Sequence, residues 1–112
     1  MSYSNFTPSS KAKFHRDYAR VLRRVAAELG LSKGSYDVRS NKGGPAVLGE
    51  VTLHSEGLYV QVGCSYGEPT VLYRSCKGRR DYTGGQNRYL DWELLTTDLD
   101  ACVARFACEI LA

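Results

Sequence analysis

The sequence predicts an α+β fold: a two-layer sandwich with an N-terminal helix, an antiparallel meander of three to four strands and a C-terminal helix. Three observations predict it. A segment near each end of the chain repeats apolar residues at helical spacing. Between them, short segments alternate apolar and polar residues, as strands do when one face is buried and the other is wetter. Turn-forming residues punctuate these segments at Asn41-Lys42-Gly43-Gly44-Pro45, Ser55-Glu56-Gly57 and Gly67-Glu68-Pro69. At 112 residues the chain makes one domain with one core.

Residues 1–7 are polar apart from Tyr3 and Phe6 and are expected to be loose. Pro8 suits a first helical turn, and Thr7 or Ser9 can cap its N–H groups. Phe14, Tyr18, Val21, Leu22, Val25 and Leu29 then form one core-facing helical stripe. Gly30, which tolerates positive φ, ends that helix, and Leu31 folds back on its last turn. Residues 35–40 set Tyr36 and Val38 against Asp37 and Arg39. In 46–54, Val47, Val51 and Leu53 share a face with Gly49, while Glu50, Thr52 and His54 share the wetter one with Leu48. In 58–64, Leu58, Val60, Val62 and Cys64 oppose Tyr59 and Gln61. Residues 70–76 read as a fourth strand, 77–88 (KGRRDYTGGQNR) as a long polar loop, and 89–95 (YLDWELL) as a short strand or a helical turn. Thr97 and Asp98 read as caps of a last helix whose core face is Leu99, Cys102, Val103, Phe106, Ala107 and Ile110. Both helices are expected to cover one face of the sheet.

The composition, 43% apolar and 24% charged, excludes a disordered tail or a low-complexity linker. No apolar run approaches the ~18 residues of a membrane span. The N-terminus lacks the basic and apolar regions of a signal peptide, so the cytosol is the expected location. The four cysteines, Cys64, Cys76, Cys102 and Cys108, form no CxxC pair and are expected to be reduced, buried thiols. Cys64 and Cys76 are candidates to face each other across paired strands. His15-Arg16-Asp17 repeats the wording of a kinase catalytic loop, but inside a helix and in a far shorter chain. A nucleophilic dyad of His54 with Cys64 or Cys76 has no support from spacing. No metal, no cofactor and no enzymatic activity are expected.

The net charge of +3 hides an asymmetry. Residues 11–29 hold six basic side chains against two acidic ones, and Lys13, Arg16, Arg20 and Arg24 are spaced to line one stripe. Residues 77–88 hold Lys77, Arg79, Arg80 and Arg88 against Asp81 alone, with Tyr82 among them. Cations, an aromatic ring, glycines and amides together are groups that contact phosphates and stack on bases. The turn at Lys42 and Gly43 is a smaller relative, in which consecutive N–H groups can bind an anion. Residues 89–112 reverse the sign, with Asp91, Glu93, Asp98, Asp100 and Glu109 against Arg105. Neither glycine-rich segment matches a phosphate-loop or dinucleotide signature.

The order helix, strands, helix resembles the double-stranded RNA-binding domain, in which a basic segment before the last helix meets phosphates. Here the basic segment lies farther from the last helix. The runs YDVRSNKGGPAVLGEVTLHSEGLYVQV and YRSCKGRRDYTGGQNRYL, within residues 35–95, resemble a family of small proteins carried by bacterial phages, plasmids and integrated elements. Neighbours of such families include anti-defence proteins, among them anti-CRISPR proteins. That resemblance implies a non-enzymatic accessory protein that binds a host protein or nucleoprotein complex. Lys77, Arg79, Arg80, Tyr82 and Arg88 are its expected contact, with Lys42 beside them and Arg16 and Arg20 on the helix. Asp91, Glu93, Asp98 and Asp100 are candidates to mimic nucleic acid toward a basic channel. The alternative is direct binding of RNA or DNA by the basic helix and loop.

Overall fold

Helix α1 (Pro8–Glu28) forms where the apolar stripe predicts it. Phe14, Tyr18, Leu22 and Val25 are buried, whereas Val21 is only half-buried. The helix ends as its sequence requires. Gly30 adopts φ +76°, its N–H donates to the Ala27 carbonyl, and the Leu31 N–H donates to the Ala26 carbonyl. This pair of bonds satisfies carbonyls that the helix end leaves open. The computed structural model describes residues 8–42, 49–65, 68–78 and 81–111. The expected caps of α1, Thr7 and the Ser9 side chain, lie outside the described residues, as does the segment 46–48 assigned to a strand.

Strands β1 (Tyr36–Asn41), β2 (Glu50–Ser55), β3 (Leu58–Ser65) and β4 (Glu68–Gly78) form the predicted antiparallel meander. Val51, Leu53, Leu58, Val60, Val62, Val71 and Tyr73 are buried on one face. Over that face α1 packs on β1 and β2, and the last helix packs on β3 and β4, so the fold is a two-layer α+β sandwich. Glu68 and Pro69, expected to break the sheet, instead open β4. The Cys76 N–H donates to the Gly57 carbonyl directly opposite. Carried along the unbroken register, this alternation turns the Pro69 nitrogen away from β3. On that outer side the pairing of β4 begins only at Val71, so the missing N–H costs no ladder bond.

The polar stretch 77–88 is largely strand, a second departure from expectation. β5 (Asp81–Gly84) pairs with the far end of β4, and β6 (Arg88–Leu90) pairs with its first half. Both run along the same edge. Between the pairs Cys76↔Gly84 and Tyr73↔Arg88, residues 85–87 oppose only 74 and 75, so the strand carries a bulge. Arg74 spans the bulge: Nη1 donates to Asn87 Oδ1 at 2.9 Å and Nη2 to the Gly85 carbonyl at 2.6 Å. Gly85 has no alternative, because a Cβ there would lie 2.5 Å from the Ser75 carbonyl oxygen.

Residues 89–95 contain both expected forms, β6 and the start of the short helix α2 (Leu94–Thr97). Helix α3 (Leu99–Leu111) opens with the predicted cap, the Ala101 N–H donating to Asp98 Oδ1. Its core face differs from expectation at the end. Cys102 and Phe106 are buried, and the Phe106 ring meets Tyr73 at 5.1 Å. Ile110, however, is 38% exposed, and Glu109 is buried in its place. The reason is Arg88 on β6, whose Nε lies 2.8 Å from Glu109 Oε2. A paired carboxylate can occupy a site that a lone one cannot.

Two smaller expectations also fail. His54, placed on the wetter face, is buried, with its ring edge-on to Tyr59 at 5.2 Å. Cys64 lies opposite Pro69, while Cys76 lies beside Gly57 at the other end of the β3–β4 ladder, so the two do not face each other. Of the other thiols, Cys102 is buried as expected and Cys108 is exposed. Among the described residues no helix is long and apolar enough to cross a membrane.

Candidate functional site

The basic stripe of α1 divides into two parts. At its start, Lys13 Nζ lies 2.6 Å from Asp17 Oδ2, and Arg16 Nε lies 3.7 Å from the other Asp17 oxygen. Further along, Arg20 and Arg24 line a cavity of about 620 Å³ between α1 and the junction of α2 with α3. The opposite wall of that cavity carries Asp98 and Asp100, and its floor includes Val21, Leu95 and Leu99. A second cavity, of about 370 Å³, shares Val21, Thr96 and Thr97 with the first and adds Tyr18, Trp92 and Glu93. The two make one groove along α1.

Local hydrogen bonds fix the acidic wall. Asp91 Oδ1 accepts the Glu93 N–H at 3.1 Å, and the Glu93 carbonyl accepts the hydroxyls of Thr96 and Thr97 at 3.1 and 2.8 Å. These bonds close the α2 turn. Leu95 points into the core, while Trp92, half-buried, lines the groove. Asp98 then caps α3. Two of the four expected acidic residues, Asp91 and Asp98, thus hold backbone N–H groups. Asp98 and Asp100 also face the arginines of α1 rather than forming a separate acidic surface.

Of the expected basic contact outside α1, only Lys77, Arg88 and Lys42 have described side chains, and these three lie apart. Lys77 is exposed at the end of β4, and Arg79, Arg80 and the Tyr82 side chain lie outside the described residues. Arg88 is engaged with Glu109 on the helix-covered side. Lys42 follows β1 at the opposite end of the sheet from Lys77, roughly 25 Å away at ~3.3 Å per residue along β3. Arg16, Arg20, Arg23 and Arg24 are all exposed.

The sheet face away from the helices holds a smaller cavity of about 350 Å³, lined by Glu50, Tyr59, Gln61, Leu72, Arg74 and Asn87. Its polar groups are largely used internally. The Tyr59 hydroxyl donates to Gln61 Oε1 at 2.9 Å, and Arg74 holds the bulge.

Two of the described thiols, Cys76 and Cys102, are shifted away from the thiolate form. Burial pushes the Cys76 thiol up, with the charges of Asp81 and Glu56 adding to it, and burial followed by the Asp98 charge does the same to Cys102. Both keep their protons more firmly than a free thiol. Among the described residues no cluster of three or more His, Cys, Asp or Glu side chains is placed to hold a metal.

Sequence reasoning missed Trp92, Thr96 and Thr97 as groove residues. The available signal was a lone tryptophan flanked by Asp91 and Glu93, an aromatic among charges rather than in an apolar run. Comparison with protein-family models, with curated proteins and with solved structures returns no match. The functional reading therefore rests on the groove.

Proposed function

We propose that the protein acts by binding, without a catalytic role, and that its partner is a protein held in the groove along α1. One observation carries this reading: the basic stripe and the acidic segment share one groove over an apolar floor. A nucleic-acid backbone offers only negative charge and would meet Asp98 and Asp100 beside Arg20 and Arg24. A protein surface offers both signs, and an apolar centre with a charged rim is how protein interfaces are built. Trp92 is the natural anchor, since tryptophan is prominent among the residues that dominate binding energy. With the resemblance to mobile-element proteins, this makes the chain an accessory inhibitor that engages the protein component of a host nucleoprotein complex.

The test is capture from bacterial lysate by the tagged protein, with and without nuclease, repeated with Trp92→Ala. A protein retained after nuclease but lost with Trp92→Ala supports the reading. The expected cost is about 2 kcal/mol of binding, roughly 30-fold in affinity. Loss of every protein after nuclease, with nucleic acid recovered, overturns it. The second reading, direct binding of RNA or DNA, is favoured by the four exposed arginines of α1. It requires affinity to fall steeply with salt, in proportion to the phosphates contacted.

A further inference from the structure

The two cavities that make up the groove differ in their charge. The one of about 370 Å³ is lined by two aromatic rings, Tyr18 and Trp92, and by two carboxylates, Asp17 and Glu93; among the described residues no cation lines it. Arg20 and Arg24 line only the larger cavity, where Asp98 and Asp100 face them. From Asp17 to Arg24 the charge thus changes along about 10 Å of α1. The two carboxylates are not equivalent. Asp17 already meets Lys13 at 2.6 Å and Arg16 at 3.7 Å. The Glu93 carboxylate joins no hydrogen bond or ion pair among the described residues, and neither does the Trp92 indole N–H. The Glu93 backbone is nevertheless fixed on both sides, its N–H by Asp91 and its carbonyl by the hydroxyls of Thr96 and Thr97. A carboxylate without a counter-ion therefore stands beside a half-buried indole. An aromatic ring with a carboxylate is the pairing that takes an organic cation, because the ring attracts the charge and the carboxylate neutralises it.

We propose that this cavity takes an arginine side chain of the protein partner, with its guanidinium against the Trp92 indole and hydrogen-bonded to the Glu93 carboxylate. The inference rests on the reading that the groove holds a protein, and it names the group that enters first. Arginine fits better than lysine. Its planar guanidinium stacks on an aromatic ring while its fork of N–H groups meets a carboxylate, and it gives up water more readily than an ammonium. Val21, which lines the same cavity, offers apolar contact to the methylene stem. Arg20 and Arg24 oppose the incoming cation only weakly, because Asp98 and Asp100 offset them across the larger cavity. A neutral guest would leave Glu93 without a counter-ion, and an anionic one would be repelled by it.

Nuclear magnetic resonance of the nitrogen-15-labelled full chain tests this, since Trp92 supplies its only indole N–H signal. The probes are Nα-acetyl-arginine amide, its neutral isostere Nα-acetyl-citrulline amide, and Nα-acetyl-lysine amide. The arginine probe should shift the indole signal and the Thr96 and Thr97 amides saturably. The citrulline probe should bind at least ~5-fold more weakly, with lysine between the two. Glu93→Gln should weaken arginine binding by ~3-fold, the scale of an exposed ion pair. Glu93→Lys should abolish the saturable shift. Glu93 is exposed and its hydrogen bonds run through its backbone, so both variants keep the α2 turn; unchanged amide signals away from the groove verify it. No saturable shift, equal binding of arginine and citrulline, lysine binding tighter than arginine, or a shift that survives Glu93→Lys overturns the proposal. Any of these leaves a Trp92-dependent capture of protein standing. Loss of every captured protein after nuclease overturns the groove reading while the arginine titration keeps its own outcome.

Discussion

The two edges of the sheet are treated in opposite ways. The β4 edge is closed by three devices: a bulged strand made of β5 and β6, the Arg74 guanidinium across the bulge, and the Arg88–Glu109 pair tying that strand to α3. Among the described residues, the β1 edge shows an in-strand Asp37–Arg39 ion pair and an unbroken register with β2. The closed edge is held by interactions distant in sequence, and the plain edge by its neighbouring strand and α1. The difference teaches that edge protection here is local. The covering strand is held by side chains distant in sequence, among them the buried Glu109 carboxylate.

Substitutions can break this contrast, and the largest effect should come at the closed edge. Phe106→Ala removes the ring packed on Tyr73 and should cost about 3–5 kcal/mol in urea unfolding. A loss well below that range would mean that α3 does not pin β4. Arg88→Met leaves the Glu109 carboxylate buried without its partner. Because Arg88 is half-exposed, the expected cost is about 2 kcal/mol, and adding Glu109→Leu should recover much of it. Gly85→Ala pushes a methyl group against the Ser75 backbone and should cost about 1–2 kcal/mol. It should also raise amide exchange in β5 and β6 before the rest of the sheet. At the plain edge, Arg39→Asp should change monomer stability by no more than ~0.5 kcal/mol, because the pair it breaks is exposed. A large change there would show that β1 is braced in a way the closed edge alone was thought to be.

Much of the fold was legible because it depends on residues close in sequence. The stripe of Phe14, Tyr18, Leu22 and Val25, the alternation in β1 to β3, and the caps at Gly30 and Asp98 each report a local periodicity or a local hydrogen bond. The covering strand was not legible. Asp81 to Arg88 has no alternation, and its pairing relies on Arg74, eleven and thirteen residues from the groups it holds. The exchange of Ile110 for Glu109 in the core likewise needs Arg88, which no helical pattern contains. Val21 read as core, yet it lines the groove, because α2 covers that side of α1 only in part. For the candidate site, the charges were visible in the sequence, but their meeting was not. Arg20 and Asp98 stand at opposite ends of the chain, and only the packing of α1 beside α2 and α3 sets them in one groove.

The position of Trp92 gives the molecule a spectroscopic reporter. It is the only tryptophan in the chain, so excitation at the red edge of the absorption band isolates it from the eight tyrosines. It sits half-buried in the groove with Tyr18. A partner that covers the groove displaces water from the indole and moves its emission to shorter wavelength. One emission spectrum, followed against partner concentration, therefore reports the filling of the groove in unlabelled protein.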